Sequence, residues 1–103
     1  MKISYKTNKF EKICKNFSAS QKAYGRQIAI KLQQRINELQ ASNTFGDAFQ
    51  IKSMYLHPLH GDREGEYAIT LTGNWRLIVT PCGDNIEINK IDEVRLDEVT
   101  DYH

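Results

Sequence analysis

Three short segments gather the side chains that move protons and grip anions. They are Leu56-His57-Pro58-Leu59-His60-Gly61-Asp62-Arg63, Asn74-Trp75-Arg76-Leu77 and Asp101-Tyr102-His103. All three histidines of the chain fall in the first and third segments. Cleaving RNA without a metal takes a base for the 2′-OH proton, an acid for the departing 5′-oxygen and a cation for the phosphate as its charge builds. Imidazole suits the first two tasks because its ordinary pKa is near neutrality. Guanidinium suits the third, since it meets phosphate as a bidentate fork. A tyrosine ring stacks on a base or holds a phosphate oxygen. A carboxylate beside a histidine orients it.

Each of these residues also has a plainer reading. His57 and His60 can be ordinary loop histidines, or two ligands of a metal. A metal would need further ligands from scattered Asp or Glu, because no cysteine is close. Arg76 can pair with a carboxylate of the acidic C-terminal stretch. Asp101, Tyr102 and His103 can be a frayed chain end. The residue types alone leave these readings open.

The elements that must position these segments follow from length and pattern. With 103 residues, 40% hydrophobic and 26% charged, the expectation is one soluble domain over residues 1–103. No apolar run exceeds three residues, far short of the ~20 a membrane span needs. Lys2, Ser4 and Lys6 stand where a secretory signal would be apolar. Cys14 and Cys82 form no CxxC pair, so the expected compartment is a reducing cytoplasm. Residues 1–40 carry nine Lys or Arg against two acids, +7, and residues 41–103 carry five against eleven, −6. A basic half attracts polyanions, and it is equally the ordinary composition of a solvated helix face.

Met1–Thr7 alternates as a short strand. Asn8 is a plausible cap for a helix over roughly 9–16, with Phe10, Ile13, Cys14 and Phe17 on its apolar side. Ser18 or Ser20 can cap a second helix to about residue 41. Its stripe is Ala23, Tyr24, Ile28, Leu32, Ile36 and Leu39. Thr44–Phe49 can form one helical turn. Beyond residue 50 the pattern turns to strand: Glu66–Thr72, a Gly73-Asn74 turn, Trp75–Thr80, a second turn over residues 81–85, and Ile86–Ile91. The acidic tail Asp92–Asp101 keeps Val94, Leu96 and Val99 to pin it to the body. Helices followed by strands predict an α+β fold. It would be a small antiparallel sheet, made of the N-terminal strand and a C-terminal meander, with two helices on one face. The other face is left for a site.

The residues resemble the HigB branch of the RelE/ParE toxins of bacterial toxin–antitoxin systems. The resemblance runs over nearly the whole chain. It is carried by Leu-His-Pro-Leu-x-Gly-Asp-Arg-x-Gly-x-Tyr (Leu56–Tyr67), by Asn-Trp-Arg-Leu (Asn74–Leu77) and by the terminal Asp-Tyr-His. It implies a RelE-like fold and a ribosome-dependent endoribonuclease that cuts mRNA with no metal or other cofactor, leaving a cyclic phosphate. By this resemblance His57, Arg76, Asp101, Tyr102 and His103 are the catalytic set. His60, which stands where many members carry Lys, and Arg63 are expected on RNA. Lys22, Lys31 and Arg35 of the helices are expected on ribosomal RNA. The implied partners are the bacterial ribosome, mRNA and a cognate helix-turn-helix antitoxin of HigA type. Operator DNA would be reached only through that antitoxin, and no membrane is involved. Two alternatives stand beside this reading: a ParE-like inhibitor of DNA gyrase, and a non-catalytic module that binds RNA or protein.

Overall fold

Thr7 turns the first strand into the first helix. In the computed structural model, which describes residues 1–84 and 87–102, β1 (Lys2–Tyr5) leads to Thr7, whose hydroxyl accepts from the Phe10 amide and starts α1 (Asn8–Lys15). Asn16 ends α1 and caps α2 (Phe17–Tyr24) by accepting from the Ala19 amide. Ser20, one of the two expected caps, is instead buried, its hydroxyl donating to the Ile13 carbonyl. The expected single helix to residue 41 is two. Gly25, at φ 89°, closes α2 through its amide on the Gln21 carbonyl and opens α3 (Arg26–Ala41). That backbone angle is one a glycine adopts without penalty and a helix interior does not contain. Thr44 and Asp47 form a reciprocal capping box that starts the expected turn, α4 (Phe45–Ala48).

The second half supplies β2 (His57–Pro58), β3 (Tyr67–Thr70), β4 (Trp75–Pro81) and β5 (Glu93–Asp101). The sheet order is β1-β5-β4-β3-β2. The pairs from β2 to β5 are antiparallel, as a meander requires. The sheet is mixed, however, because β1 joins β5 in parallel, Lys2 opposite Glu93 and Tyr5 opposite Leu96. The helices carry the chain from β1 at one edge to β2 at the other, and the last strand then lies beside β1 in parallel.

The α+β class with helices on one face is as expected. Leu32, Leu39, Phe45 and Met54 meet Ile69, Leu77, Val79, Val94 and Leu96 in one core, all almost wholly closed to solvent. Each such side chain stabilises the fold by about 1.5–3 kcal/mol. Two expectations along the strands need correction. Ile86–Ile91 does not form a strand where it is described: Ile86 lies outside the described residues, and Ile88–Lys90 is a 3-10 turn. The acidic tail supplies the longest strand instead, next to the centre of the sheet. Val94, Leu96 and Val99 bind it to the core, and Arg95, Asp97 and Glu98 face the other way. The spacing of those three residues shifts from two to three because a bulge falls where the register passes from Ile78–Glu98 to Val79–Leu96. Asp97 is the extra residue. The bulge turns Asp97 and Glu98 toward the face the helices leave open.

Candidate active site

Strand register brings the first two chemical segments together on the open face. His57 pairs with Ala68, Ala68 with Ile78 and Ile78 with Glu98, one rung across four strands. The next rung is Thr70, Arg76 and Thr100. Side chains on alternate residues share a face, so His57, Glu98, Arg76 and Thr100 all project to the open side. His57 and Arg76 are two strands and two residues apart, about 12 Å between backbones. The two residues flank one stretch of the open face, with the Arg76 guanidinium turned back to carbonyls at the start of β4.

The loop that carries His57 is bound tightly to the sheet. Arg63 donates from one nitrogen to Glu66 at 3.0 Å and from another to Glu98 at 2.9 Å. The bond to Glu98 is the main reason its guanidinium holds its proton even more firmly than usual. Leu59 donates its amide to Glu66, so the loop closes on the start of β3. His57 is exposed, and its Nδ1 lies 2.8 Å from the Tyr55 carbonyl. His60 is also exposed, 3.8 Å from Glu64, and makes no contact with His57 or Arg76 among the described residues.

Arg76 differs from the other arginines of the sheet. One of its terminal nitrogens donates to the carbonyls of Gly73 (2.8 Å), in the tight turn before β4, and of Trp75 (3.0 Å), the first residue of β4. No carboxylate reaches it among the described residues. The acidic tail, one of its possible partners by sequence, meets other arginines. Glu98 holds Arg63, and Asp97 holds Arg95 at 2.6 Å. Asp97 is buried and has both oxygens engaged, the second by the Thr80 hydroxyl at 2.6 Å.

The third segment is brought partly into this site. The Tyr102 amide donates to the Asn74 carbonyl at 2.8 Å, which fixes the chain end beside the turn that holds Arg76. Asp101 lies opposite Trp75, so alternation puts it on the rim at the helix side rather than on the Arg76 face. His103 lies outside the described residues.

The helix cations separate into two kinds. Lys22 is exposed and Lys31 partly so, both on the helix layer, across the sheet from His57 and Arg76. Arg35 is only 3% exposed. Its Nε donates to the Thr70 carbonyl (2.9 Å), one terminal nitrogen to Glu38 (2.8 Å) and the other to the Ser53 carbonyl (3.0 Å). The expectation that Arg35 docks RNA is corrected: its guanidinium is buried and saturated. The sequence did carry a signal. Arg35 lies seven residues after Ile28 and four before Leu39, on the buried stripe of α3. Glu98, Arg95 and Asp97 were missed, because a bulge inverts the alternation on which faces are assigned.

Among the described residues no three side chains of metal-ligating type cluster. What the described residues of the open face offer is a half-buried cation without a carboxylate, a histidine across from it, and a backbone-anchored tyrosine.

No family model matches the chain. Over 46 residues it is 48% identical to Endoribonuclease HigB of Proteus vulgaris, a match that spans 42% of this chain and half the length of that relative. Among solved structures, the YoeB/ParE toxin from Agrobacterium tumefaciens superposes over all of both chains with a TM-score of 0.60 at 12% identity, a likeness of fold. Over the 46 matched residues the sequence is similar to HigB, and the fold is like that of a YoeB/ParE toxin.

Proposed function

We propose that this chain is the toxin of a type II toxin–antitoxin system and an endoribonuclease that cuts mRNA on the bacterial ribosome. The observation that carries the reading is Arg76: a cation fixed on the open face by two backbone carbonyls, with no described carboxylate to neutralise it. An arginine so held is available to a phosphate. In the proposed reaction a base takes the 2′-OH proton and the 2′-oxygen attacks phosphorus. Arg76 stabilises the added negative charge, and the 5′-oxygen leaves with a proton from an acid. The products are a 2′,3′-cyclic phosphate and a 5′-hydroxyl. His57 and His103 are the proposed proton carriers, Asp101 on the rim is proposed to assist them by orienting a histidine, and Tyr102 orients the nucleotide. Side chains alone supply the base, the acid and the cation, so no metal is assigned a step.

His60 flanks this site as a proposed RNA contact, while Arg63, held by Glu66 and Glu98, anchors the loop rather than RNA. Lys22 and Lys31 are proposed to dock ribosomal RNA, from the other face of the sheet. Reversing both charges is expected to weaken ribosome binding and to make its salt dependence shallower, because fewer counterions are released. The proposed partner is a HigA-type helix-turn-helix antitoxin, through which operator DNA would be reached.

The test is translation in a reconstituted bacterial extract followed by primer extension on the mRNA. Discrete cuts that need ribosomes and survive a chelator are the expected result. Arrested growth with intact mRNA would replace this reading with the gyrase one. Binding to RNA without cleavage would replace it with a non-catalytic module.

A further inference from the structure

Tyr55 is the only non-glycine among the described residues with a positive φ, 47° with ψ 43°. A bulky aromatic residue rarely occupies the left-handed region, and where one does, the surroundings impose it. Here they do. Buried Arg35 grips the Ser53 carbonyl at 3.0 Å and its hydroxyl at 3.3 Å. Met54 is fully buried, and the 3-10 turn Lys52–Met54 closes when the Tyr55 amide donates to the Lys52 carbonyl. The Tyr55 side chain is 70% exposed, so core packing of the ring does not explain the conformation. What the conformation does is aim the Tyr55 carbonyl at Nδ1 of His57, 2.8 Å away.

A carbonyl oxygen only accepts. Nδ1 must therefore carry the hydrogen, and in the neutral ring Nε2 then carries the lone pair. Building on the function proposed above, we propose that Tyr55 is a positioning residue that fixes this tautomer, and that His57 is thereby the group that takes the 2′-OH proton. In balanced form, the 2′-O–H bond breaks to Nε2 as the 2′-oxygen–phosphorus bond forms. The phosphorus–5′-oxygen bond then breaks, and a proton passes to the 5′-oxygen from a second group. His57 leaves the step as imidazolium, with Nδ1–H still on the Tyr55 carbonyl, where its charge is partly offset.

Two measurements test this. The first is the ¹⁵N spectrum of the ring nitrogens in the intact chain near pH 8, about 1.5 units above the ordinary histidine pKa, with His57 assigned by its loss in His57→Gln. Protonated Nδ1 with bare Nε2 is expected. Predominant Nε2–H, or two tautomers in exchange, would overturn the positioning role. Tyr55→Gly keeps the carbonyl and tolerates the angle, so it should retain the signature. Tyr55→Val disfavours the angle and should erode it while the fold, read by the remaining amide spectrum, persists.

The second measurement uses ribosome-bound mRNA whose 5′-leaving oxygen is replaced by sulfur, a leaving group that needs no proton. His57→Ala is expected to slow cleavage about 10²–10⁴-fold on the oxygen substrate and to stay slow on the sulfur one. Recovery on sulfur would make His57 the acid and overturn the assignment. Failure of the wild-type protein to cleave either substrate would overturn the proposed function and the acceptor role with it, while the ¹⁵N spectrum still decides the geometry.

Discussion

Arg35 and Arg76 meet the same rung of the sheet from its two sides. Arg35 reaches from α3 to the Thr70 carbonyl, and Thr70 is the strand partner of Arg76. Both residues bond backbone carbonyls, and both were expected on RNA from sequence. Their surroundings separate them. On the covered side Arg35 is enclosed and has Glu38 as counter-ion. On the open side Arg76 has no counter-ion among the described residues. The same contrast repeats within the open face, where Asp97 neutralises Arg95 at the bulge end of β4 and no described carboxylate meets Arg76 at the other end. What assigns an arginine to structure or to chemistry here is the set of partners it already has.

The largest expected effect sits on the open side. Arg76→Ala should slow cleavage about 10²–10³-fold, the usual cost of losing one transition-state donor. Its melting temperature should stay near the wild-type value. Single-turnover cleavage and thermal melting read the two quantities side by side. Arg35→Ala should act first on stability. It leaves Glu38 and two carbonyls without their donor, and a loss of about 3 kcal/mol is expected in urea unfolding. Ribosome affinity per folded molecule should not change. A weakened ribosome interaction with intact stability would return Arg35 to the RNA-binding set.

Arg95→Ala sharpens the contrast within one face. It strips a buried carboxylate of one of two donors, so a stability loss of about 1–3 kcal/mol is expected, with the cleavage rate of the folded fraction unchanged. An effect absent at neutral pH belongs to the covered side and appears only in alkali. Burial pushes the Cys14 thiol up to about 12, from an ordinary value near 9. Above pH 9 the unfolded chain gives up this proton while the folded chain keeps it. Stability should therefore fall by about 1.4 kcal/mol per pH unit between those values. Cys14→Ala should flatten that slope in pH-dependent unfolding.

The sequence displayed the parts that obey simple periods. The helix stripe and the β3–β4 hairpin were readable, as was the division into a covered and an open face. The parts it concealed depend on a broken period. Gly25 splits what reads as one helix. The bulge at Asp97 sends two adjacent carboxylates to one face, and the step from Leu96 to Val99 was its only trace. Arg35 was misread because its charge was weighed above its position on the buried stripe. The short strand His57–Pro58 has too few residues to show any alternation, yet its pairing with Ala68 sets His57 on the site.

The most direct test of the central claim compares Arg76→Ala with Arg95→Ala in single-turnover cleavage of ribosome-bound mRNA, each rate normalised to the folded fraction. The account predicts that Arg76→Ala loses at least about 10²-fold and that Arg95→Ala cleaves as the wild type does. Equal losses in both, or a loss confined to Arg95→Ala, would contradict the claim that the arginine without a carboxylate is the one that holds the reacting phosphate.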